Sequence, residues 1–332
     1  MSEQKRKRIL SGMQPSGKLH LGNYFGALKN WVDLQDDFEC FFFIADWHAL
    51  SSLYEDPRRI REFSFEVAVD WLSAGLDPEK CTLFLQSEIP EHAELHLILS
   101  MMVPVPWLER NPTYKEKQDE IKKVDMSTYG FLGYPVLQTA DIDLYRADFV
   151  PVGIDQAPHL ELSREIVRRF HNLYRKNVFI EPAAKISDIP KLNGIDGRKM
   201  SKSYDNAIFL SDNEKEVTKK VKQMLTDPAR ARRDDPGDPE VCNLYPFHKI
   251  YSPKSMQDEV AEGCRTAKIG CGDCKNMLTQ TMLEGMQPIM EKRCEIIKKP
   301  KEVEEIIAEG TKKAQVVATS TLEKVKQVMK FK

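Results

Sequence analysis

The chain has 332 residues, of which 41% are hydrophobic and 30% charged, and its formal net charge is −2. This composition is typical of a globular protein, and the length allows a large core with a second, smaller lobe. No apolar run approaches the ~20 residues of a membrane helix. The small net charge excludes a polycation, so a nucleic acid would have to be bound through local basic patches.

The first residues, Met1 to Arg8, are charged and lead directly into a predicted strand. A secretory signal would have an apolar stretch here, so we expect a cytoplasmic protein. The basic run Lys5 to Arg8 could serve as a nuclear address, but a short solvated tail is the more common use of such a run.

The segment from Arg8 to Trp31 predicts a strand, a tight loop and a helix, because apolar residues recur at helical spacing after Gly17. His20, Gly22 and Asn23 lie where this helix begins, and the unpaired N–H groups of a helix N-terminus attract phosphate. A Cβ at Gly22 would stand between the helix and a ligand, so glycine suits close approach there.

Three interpretations of this segment compete. Gly12 to Lys18 matches the G-x4-G-K of a P-loop, but Leu19 follows where Ser or Thr should bind Mg²⁺. His20-Leu-Gly22-Asn23, after Pro15-Ser16-Gly17, matches a different nucleotide signature. The third interpretation is an ordinary turn between a strand and a helix.

The next elements alternate between strands and helices. Glu39 to Ala45 is a nearly continuous apolar run, as in a buried parallel strand, and His48 follows it where ligands bind in open α/β sheets. A hydrogen-bonded core histidine is the alternative. A helix from Asp56 to Gly75, a strand at Thr82–Leu85 and a helix from Glu91 to Met102 complete a pattern that predicts a doubly wound sheet.

The middle of the chain holds three segments of interest. Trp107 to Val124 is polar and lysine-rich, as in a solvated loop. Tyr134 to Tyr145 predicts a helix with Pro135 in its first turn, in which Gln138 and Asp141 share the face of Tyr134. A surface position is the alternative for Asp141.

Phe149 to Gly153 predicts another strand, which leads into Gly153-Ile154-Asp155-Gln156. A small residue paired with an acid is the arrangement that nucleotide folds use on a ribose. A helix from Pro158 to Tyr174 and then a loop to Lys199 follow.

The run Lys199-Met200-Ser201-Lys202-Ser203 places two lysines three residues apart on a presumed mobile loop, which suits a triphosphate. Beyond it the pattern is that of polar helices without strand alternation, and the last helix is predicted from Val303 to Met329. We therefore predict an α/β domain at 1–204 and a helical domain at 205–332.

Seven cysteines in such a chain do not indicate disulfides. Four of them, Cys242, Cys264, Cys271 and Cys274, are spaced C-x21-C-x6-C-x2-C with glycines beside them. This is moderate evidence for a metal site, and ligation by four thiolates suits both zinc and a [4Fe–4S] cluster. Unligated thiols are the third alternative.

Taken together, the His20-Leu-Gly22-Asn23 and Lys199-Met200-Ser201-Lys202-Ser203 signatures resemble those of the class I aminoacyl-tRNA synthetases. The run Gln14-Pro15-Ser16-Gly17, with Ala140-Asp141-Ile142 and Gly153-Ile154-Asp155-Gln156, is similar to the branch of that family that uses tryptophan. The resemblance covers most of the chain and implies a Rossmann-type parallel sheet with a C-terminal helical lobe that reads the anticodon.

The resemblance also implies the roles of particular residues. His20, Asn23, Lys199 and Lys202 would be catalytic. ATP would be bound by Gln14, Pro15, Ser16, Gly22, Asn23, Gly153, Ile154, Asp155, Gln156, Lys199, Met200, Ser201, Lys202 and Ser203, together with Lys115 and Lys117. L-Tryptophan would be bound by Asp141, Tyr134, Gln138, His48, Val150 and Val152, where the Asp141 carboxylate accepts the indole N–H.

The implied activity is the joining of tryptophan to tRNA(Trp), with ATP and Mg²⁺, by a homodimer. A subset of bacterial enzymes of this branch carries a [4Fe–4S] cluster with nearly this cysteine spacing, the first gap here being one residue shorter. Specificity for tyrosine on the same fold is the nearest alternative. A non-catalytic RNA- or nucleotide-binding module is another, although the intact Lys199–Ser203 run argues against it.

Overall fold

The computed structural model describes residues 6–110, 125, 127–153, 157–186 and 192–331. Within them, one parallel sheet is formed by β1 (Arg8–Met13), β2 (Glu39–Ile44), β3 (Cys81–Leu85), β4 (Phe149–Val152) and β5 (Ala183–Ile186). The strand order is β3-β2-β1-β4-β5. This is the order of a nucleotide-binding half of the Rossmann fold, so the predicted fold class is confirmed.

Helices cover both faces of this sheet. They are α1 (Leu21–Asn23), α2 (Lys29–Leu34), α3 (Asp46–Leu53), α4 (Ile60–Ala74), α5 (Glu91–Ser100), α6 (Val105–Glu109), α7 (Tyr129–Leu144), α8 (Ala157–Tyr174), α9 (Glu214–Gln223), α10 (Tyr245–Tyr251), α11 (Lys254–Arg265), α12 (Cys271–Ile296) and α13 (Pro300–Val328). A π-helical turn at Tyr24–Leu28 joins α1 to α2, so that the helical segment after β1 is continuous.

Alternate residues of the strands face two separate apolar cores, as the period of a strand requires. Ile9, Phe42 and Leu83 belong to one core, and Leu10 and Phe41 belong to the other. Because both faces of β2 are covered, its sequence is apolar throughout.

Two predicted elements differ from the structure. Strand β5 (Ala183–Ile186) lies in a segment predicted as a loop, because a short edge strand with two alanines has little strand character. Helix α7 begins at Tyr129 rather than at Tyr134, since the Thr128 hydroxyl accepts the Phe131 N–H at 3.3 Å and caps the helix there. Pro135 therefore lies inside the helix and not in its first turn.

The helices after residue 204 pack against the sheet domain as well as against each other. Helix α12 contacts α4, and the last helix, α13, crosses β3 and contacts α5. The division at 204/205 remains a prediction, and α13 contributes Ala314, Ala318 and Leu322 to the core that contains Leu10. No helix among the described residues is long and apolar enough to span a membrane.

Candidate active site

A cavity of about 430 Å³ opens at the carboxyl ends of β1 and β4. The sheet order reverses between these two strands, and this is where ligands bind in open α/β folds. The predicted binding residues that line this cavity are Gln14, His48, Tyr134, Gln138, Asp141, Val150, Val152 and Gly153.

Asp141 is the charged group at the base of the cavity and is only 1% exposed. Its Oδ1 accepts hydrogen bonds from Gln86 Nε2 at 2.8 Å and from His92 Nδ1 at 2.6 Å. Its Oδ2 accepts one from His48 Nε2 at 2.7 Å. Three donors from three different elements therefore hold this carboxylate in place.

Burial alone would raise the pKa of Asp141, but attraction to His48 and hydrogen bonds from His48 and His92 outweigh burial and hold the pKa at about 2. The group is thus an anion at any pH near neutrality. A carboxylate oxygen can accept two hydrogen bonds, and Oδ2 accepts one from the described residues. Since Phe43, Trp31 and Tyr134 also line the cavity, it suits a flat apolar ligand that donates one hydrogen bond.

Gln86 and His92 were missed by the sequence prediction. Both residues are fully buried, and the Nε2 of His92 lies 2.8 Å from the Tyr145 hydroxyl. Nothing in the local sequence marks either residue, because their roles depend on how the turn after β3, which holds Gln86, and α5, which holds His92, approach α7.

His20 caps the helical segment after β1, as predicted. Its Nδ1 accepts the Asn23 N–H at 3.2 Å, while Asn23 Oδ1 accepts the His20 N–H at 3.1 Å. Burial and the nearby Lys202 ammonium lower the pKa of His20 to about 4, so the ring is neutral at pH 7. Because Nδ1 is the acceptor, Nε2 carries the proton and can donate to a phosphate.

Gly22 lies directly against His20. A Cβ built on Gly22 would be 2.9 Å from the His20 Nδ1 and 3.7 Å from the Met200 Cβ. The close approach of the histidine ring therefore favours glycine at this position, and the predicted close approach of a ligand there stays a prediction.

Lys202 connects the Lys199–Ser203 run to the loop that precedes His20. Its ammonium donates to the Gly17 carbonyl at 3.0 Å and to the Ser16 hydroxyl at 3.3 Å. Burial lowers the pKa of Lys202 to about 8, against the opposing effect of the Asp70 carboxylate. A cation is therefore held at the loop where the predicted nucleotide contacts lie.

Asn206 shapes the Lys199–Ser203 run and was also missed. It is 1% exposed; its Oδ1 accepts the Ser201 N–H at 2.8 Å, and its Nδ2 donates to the Lys199 carbonyl at 3.1 Å. Lys199 and Ser203 are exposed, whereas Met200 is buried beside Gly22. Pro15 is buried in the neighbouring loop.

Several predicted residues lie outside the described residues. They are Lys115, Lys117, Ile154, Asp155 and Gln156. Their assignment to ATP stays a prediction.

The four predicted metal ligands lie near one another: Cys242 precedes α10, Cys264 lies on α11, and Cys271 and Cys274 lie at the start of α12. Burial raises the pKa of Cys274 to about 12, and the proximity of Cys242, Cys264 and Cys271 adds to this shift. Arg230 lies beside them, with its Nη1 3.8 Å from the Cys264 Sγ. Within the described part of the chain, no three His, Cys, Asp or Glu side chains are arranged around a single point that could hold one metal ion.

Comparison with known proteins agrees with this site. Residues 2–287 match the family model for tRNA synthetases class I (W and Y). The tryptophan–tRNA ligase of Thermotoga maritima is 52% identical over 324 residues, which cover 97% of this chain and 98% of that protein. The corresponding ligase of Aquifex aeolicus is 42% identical over 392 residues, covering 97% and 99%.

A solved structure supports the same assignment. The crystal structure of tryptophanyl-tRNA synthetase from Campylobacter jejuni, complexed with ADP and tryptophan, superimposes with a TM-score of 0.87 at 36% identity and covers 97% of this chain and 99% of that one. The chain therefore belongs to the class I tRNA synthetases of the tryptophan and tyrosine type.

Proposed function

We propose that this protein is a cytoplasmic tryptophan–tRNA ligase, which activates L-tryptophan with ATP and transfers it to tRNA(Trp). The observation that carries the proposal is the Asp141 carboxylate, ionised and held by three donors at the base of an aromatic-lined cavity beside the nucleotide loop. The relatives named above, which carry the same activity in their names, support it.

The reaction proceeds in two steps. The tryptophan carboxylate attacks the α-phosphorus of ATP, the bond to the bridging oxygen breaks, and pyrophosphate leaves with Mg²⁺. A 2′-hydroxyl of the terminal tRNA ribose then attacks the acyl carbon; AMP leaves, and the hydroxyl proton passes to a phosphate oxygen or to water. Neither step needs a protein nucleophile, so catalysis consists of positioning and charge stabilisation.

His20 and Lys202 supply that stabilisation in the proposal. The neutral His20 ring donates through Nε2, and the Lys202 ammonium can leave Gly17 and Ser16 for a phosphate. Lys199, Ser201 and Ser203 complete the phosphate contacts when the loop closes.

In the proposed binding mode, the Oδ2 atom of Asp141 accepts a hydrogen bond from the indole N–H of tryptophan. Tyrosine is the competing substrate, because a phenol can also donate to a carboxylate. A substrate without such a donor would leave the buried carboxylate unpaired, and a buried polar group without its partner discriminates strongly.

We expect Asp141→Asn to reduce kcat/KM for tryptophan by about 100-fold, since an amide turns an N–H group toward donors and loses the charge, an effect of about 3 kcal/mol. ATP affinity should change little. Steady-state pyrophosphate exchange at varied tryptophan and ATP measures both. An unchanged kcat/KM for tryptophan would remove Asp141 from the substrate site.

Asp143 offers the matched control for this variant. It is fully buried on the same helix; burial raises the pKa of its carboxyl well above the usual value, and neither oxygen has a hydrogen-bond partner among the described residues. Asn is nearly equal to Asp in size, and Asp143 is not among the residues that line the cavity, so Asp143→Asn should leave tryptophan activation at the wild-type level.

The pKa of about 8 at Lys202 predicts proton uptake on nucleotide binding. At pH 8.5 most free protein carries a neutral Lys202, and a phosphate favours the ammonium form, so ATP binding should draw in part of a proton; at pH 7 the uptake should approach zero. Calorimetry in two buffers of different ionisation enthalpy measures the number of protons taken up per ATP bound. Lys202→Arg keeps the charge but cannot titrate, so uptake that persists in this variant would contradict the assignment.

For the four-cysteine site we propose a [4Fe–4S] cluster held by Cys242, Cys264, Cys271 and Cys274. Four neighbouring thiols could ligate either a zinc ion or a [4Fe–4S] cluster. Arg230 would offset part of the negative charge of the thiolates. A zinc ion needs all four sulfurs about 2.3 Å from one point, whereas a cluster takes one thiolate per iron and accepts a wider spacing. The cluster is preferred over zinc because the cysteine spacing, C-x21-C-x6-C-x2-C, is nearly that of the cluster-binding enzymes of this family.

Anaerobically purified protein should then be brown and contain iron and sulfide in cluster stoichiometry. Because none of the four cysteines lines the cavity, Cys264→Ser should lose iron and weaken tRNA charging while adenylate formation continues. Colourless protein with one zinc per chain would assign the site to zinc. Metal-free protein would show that the four cysteines hold no metal.

We also propose a homodimer. Helices α5, α6 and α7, which contact each other, expose the apolar side chains of Leu97, Met101, Val105 and Tyr129, which are 51–76% accessible. Burial of this face against a second copy would remove apolar surface from water. Sedimentation equilibrium tests the proposal, and a monomer at micromolar concentration would contradict it.

A further inference from the structure

A buried ion pair connects the C-terminal helices to the nucleotide loop. Asp70 on α4 is fully buried, and its Oδ1 accepts a hydrogen bond from Arg293 Nε at 2.7 Å. Arg293 lies near the end of α12, is 8% exposed, and also contacts Glu66, one turn before Asp70. The positive charge of Arg293, which belongs to the last third of the chain, is thus buried against α4.

The second oxygen of Asp70 holds the nucleotide loop. Its Oδ2 accepts the backbone N–H of Leu19 at 3.2 Å, and Leu19 directly precedes His20. On either side of His20, the Leu19 carbonyl accepts the Leu210 N–H and the Leu21 N–H donates to the Ile208 carbonyl, both at 2.9 Å. Asp70 therefore fixes the backbone where the His20 segment pairs with the residues that follow the Lys199–Ser203 run.

Packing two helices together does not require such a pair. Replacing a buried ion pair by apolar side chains is often neutral or stabilising, so its presence is weak evidence for a purely structural role. Here one carboxylate oxygen is directed to the backbone next to His20, and the same charge acts on Lys202. Both consequences concern the nucleotide site rather than helix packing.

We propose that Asp70 and Arg293 are positioning residues for ATP: Arg293 holds Asp70 against the Leu19 N–H, and this contact sets the positions of His20 and Lys202. The inference rests on the proposed function, because it assigns ATP to that loop. Since Arg293 and the cysteines Cys271 and Cys274 lie on the same helix, α12, the pair also ties the C-terminal lobe to the first step of the reaction.

The charged groups that act on Asp70 are Arg293 from α12, Glu66 from its own helix and Lys202 from the signature loop. Burial raises the pKa of Asp70 to about 6, and Arg293 opposes that rise. Without Arg293, the carboxyl should bind its proton at a higher pH, and the loop should lose its anionic acceptor there. In a variant without Arg293, the acidic limb of the pH profile of kcat/KM for ATP should therefore move to higher pH.

The test compares Arg293→Gln and Arg293→Lys with Lys326→Met. Lys326 pairs with Glu94 and joins α13 to α5, so its removal breaks another, more exposed bridge between the C-terminal helices and the sheet domain without touching the loop. Tryptophan-dependent ATP–pyrophosphate exchange is measured from pH 5.5 to 8.5, with KM determined separately for ATP and tryptophan.

We expect Arg293→Gln to raise KM for ATP about fivefold, the effect of one lost hydrogen bond, with KM for tryptophan nearly unchanged. The acidic limb of kcat/KM for ATP should shift up by about one pH unit. Arg293→Lys keeps the charge but cannot contact both Asp70 and Glu66 as the guanidinium does, so the shift of the acidic limb should be smaller than in Arg293→Gln. Lys326→Met should match the wild type.

A folded Arg293→Gln protein with wild-type KM for ATP and an unshifted limb would overturn the inference, as would equal changes in Lys326→Met. If Arg293→Gln does not fold, Arg293→Lys carries the test, and a wild-type KM for ATP in that variant overturns the inference. Absence of exchange in the wild-type protein would instead refute the proposed function.

Discussion

Replacing Lys202 by alanine should slow adenylate formation by 100- to 1,000-fold. The ammonium lies against the Pro15–Gly17 loop, within reach of a triphosphate at the His20 helix terminus. A charged donor aimed at the charge that develops in the transition state is worth roughly 3–4 kcal/mol. Single-turnover formation of the adenylate, followed by rapid quench, measures the loss.

Tryptophan binding should be almost unaffected in the same variant, because Lys202 is not among the residues that line the cavity. Fluorescence titration with tryptophan alone provides that control. Equal losses in tryptophan affinity and in rate would identify Lys202 as a structural lysine that merely holds the loop.

Replacing Gly310 by alanine should destabilise the protein by about 3 kcal/mol, at the upper end of the usual cost of overpacking. A Cβ on Gly310 would lie 1.8 Å from the Leu83 carbonyl oxygen, a backbone atom of β3 that cannot rotate away. Helix α13 would have to move off the sheet, losing contacts of Ala314 and Ala318 with the core.

Thermal unfolding compared with that of Gly130→Ala tests this expectation. Gly130 is also helical, but outside its own helix backbone a Cβ there meets no atom of the described residues within 4 Å, so alanine should leave stability unchanged or raise it slightly. If Gly310→Ala unfolds at the wild-type temperature, α13 does not lie this closely against β3 in solution.

The sequence predicted those features that depend on local pattern. The apolar run of β2 identified a strand buried on both faces, and the position of His20 and Asn23 identified a helix start, which the structure shows as a reciprocal cap. The shared face of Tyr134, Gln138 and Asp141 brought these residues to one cavity, because helical periodicity fixes a face without knowledge of the fold.

Features that depend on the approach of distant segments were not predictable. Gln86, in the turn after β3, and His92, on α5, hold Asp141 only because both segments approach α7, and Arg293 reaches Asp70 across more than 200 residues of sequence. Asn206 resembles any polar loop residue until its amide is seen to support Ser201 and Lys199. The π-helical turn at Tyr24–Leu28 likewise leaves no mark in an apolar pattern that suits an α-helix.

We expect the cavity at Asp141 to select tryptophan for activation by ATP. Amino-acid-dependent ATP–pyrophosphate exchange, measured in parallel with tryptophan and with tyrosine, is the decisive measurement of this selectivity. Exchange should be rapid with tryptophan, and with tyrosine at the same concentration it should not exceed background. Exchange with tyrosine but not with tryptophan would show that the cavity does not select tryptophan.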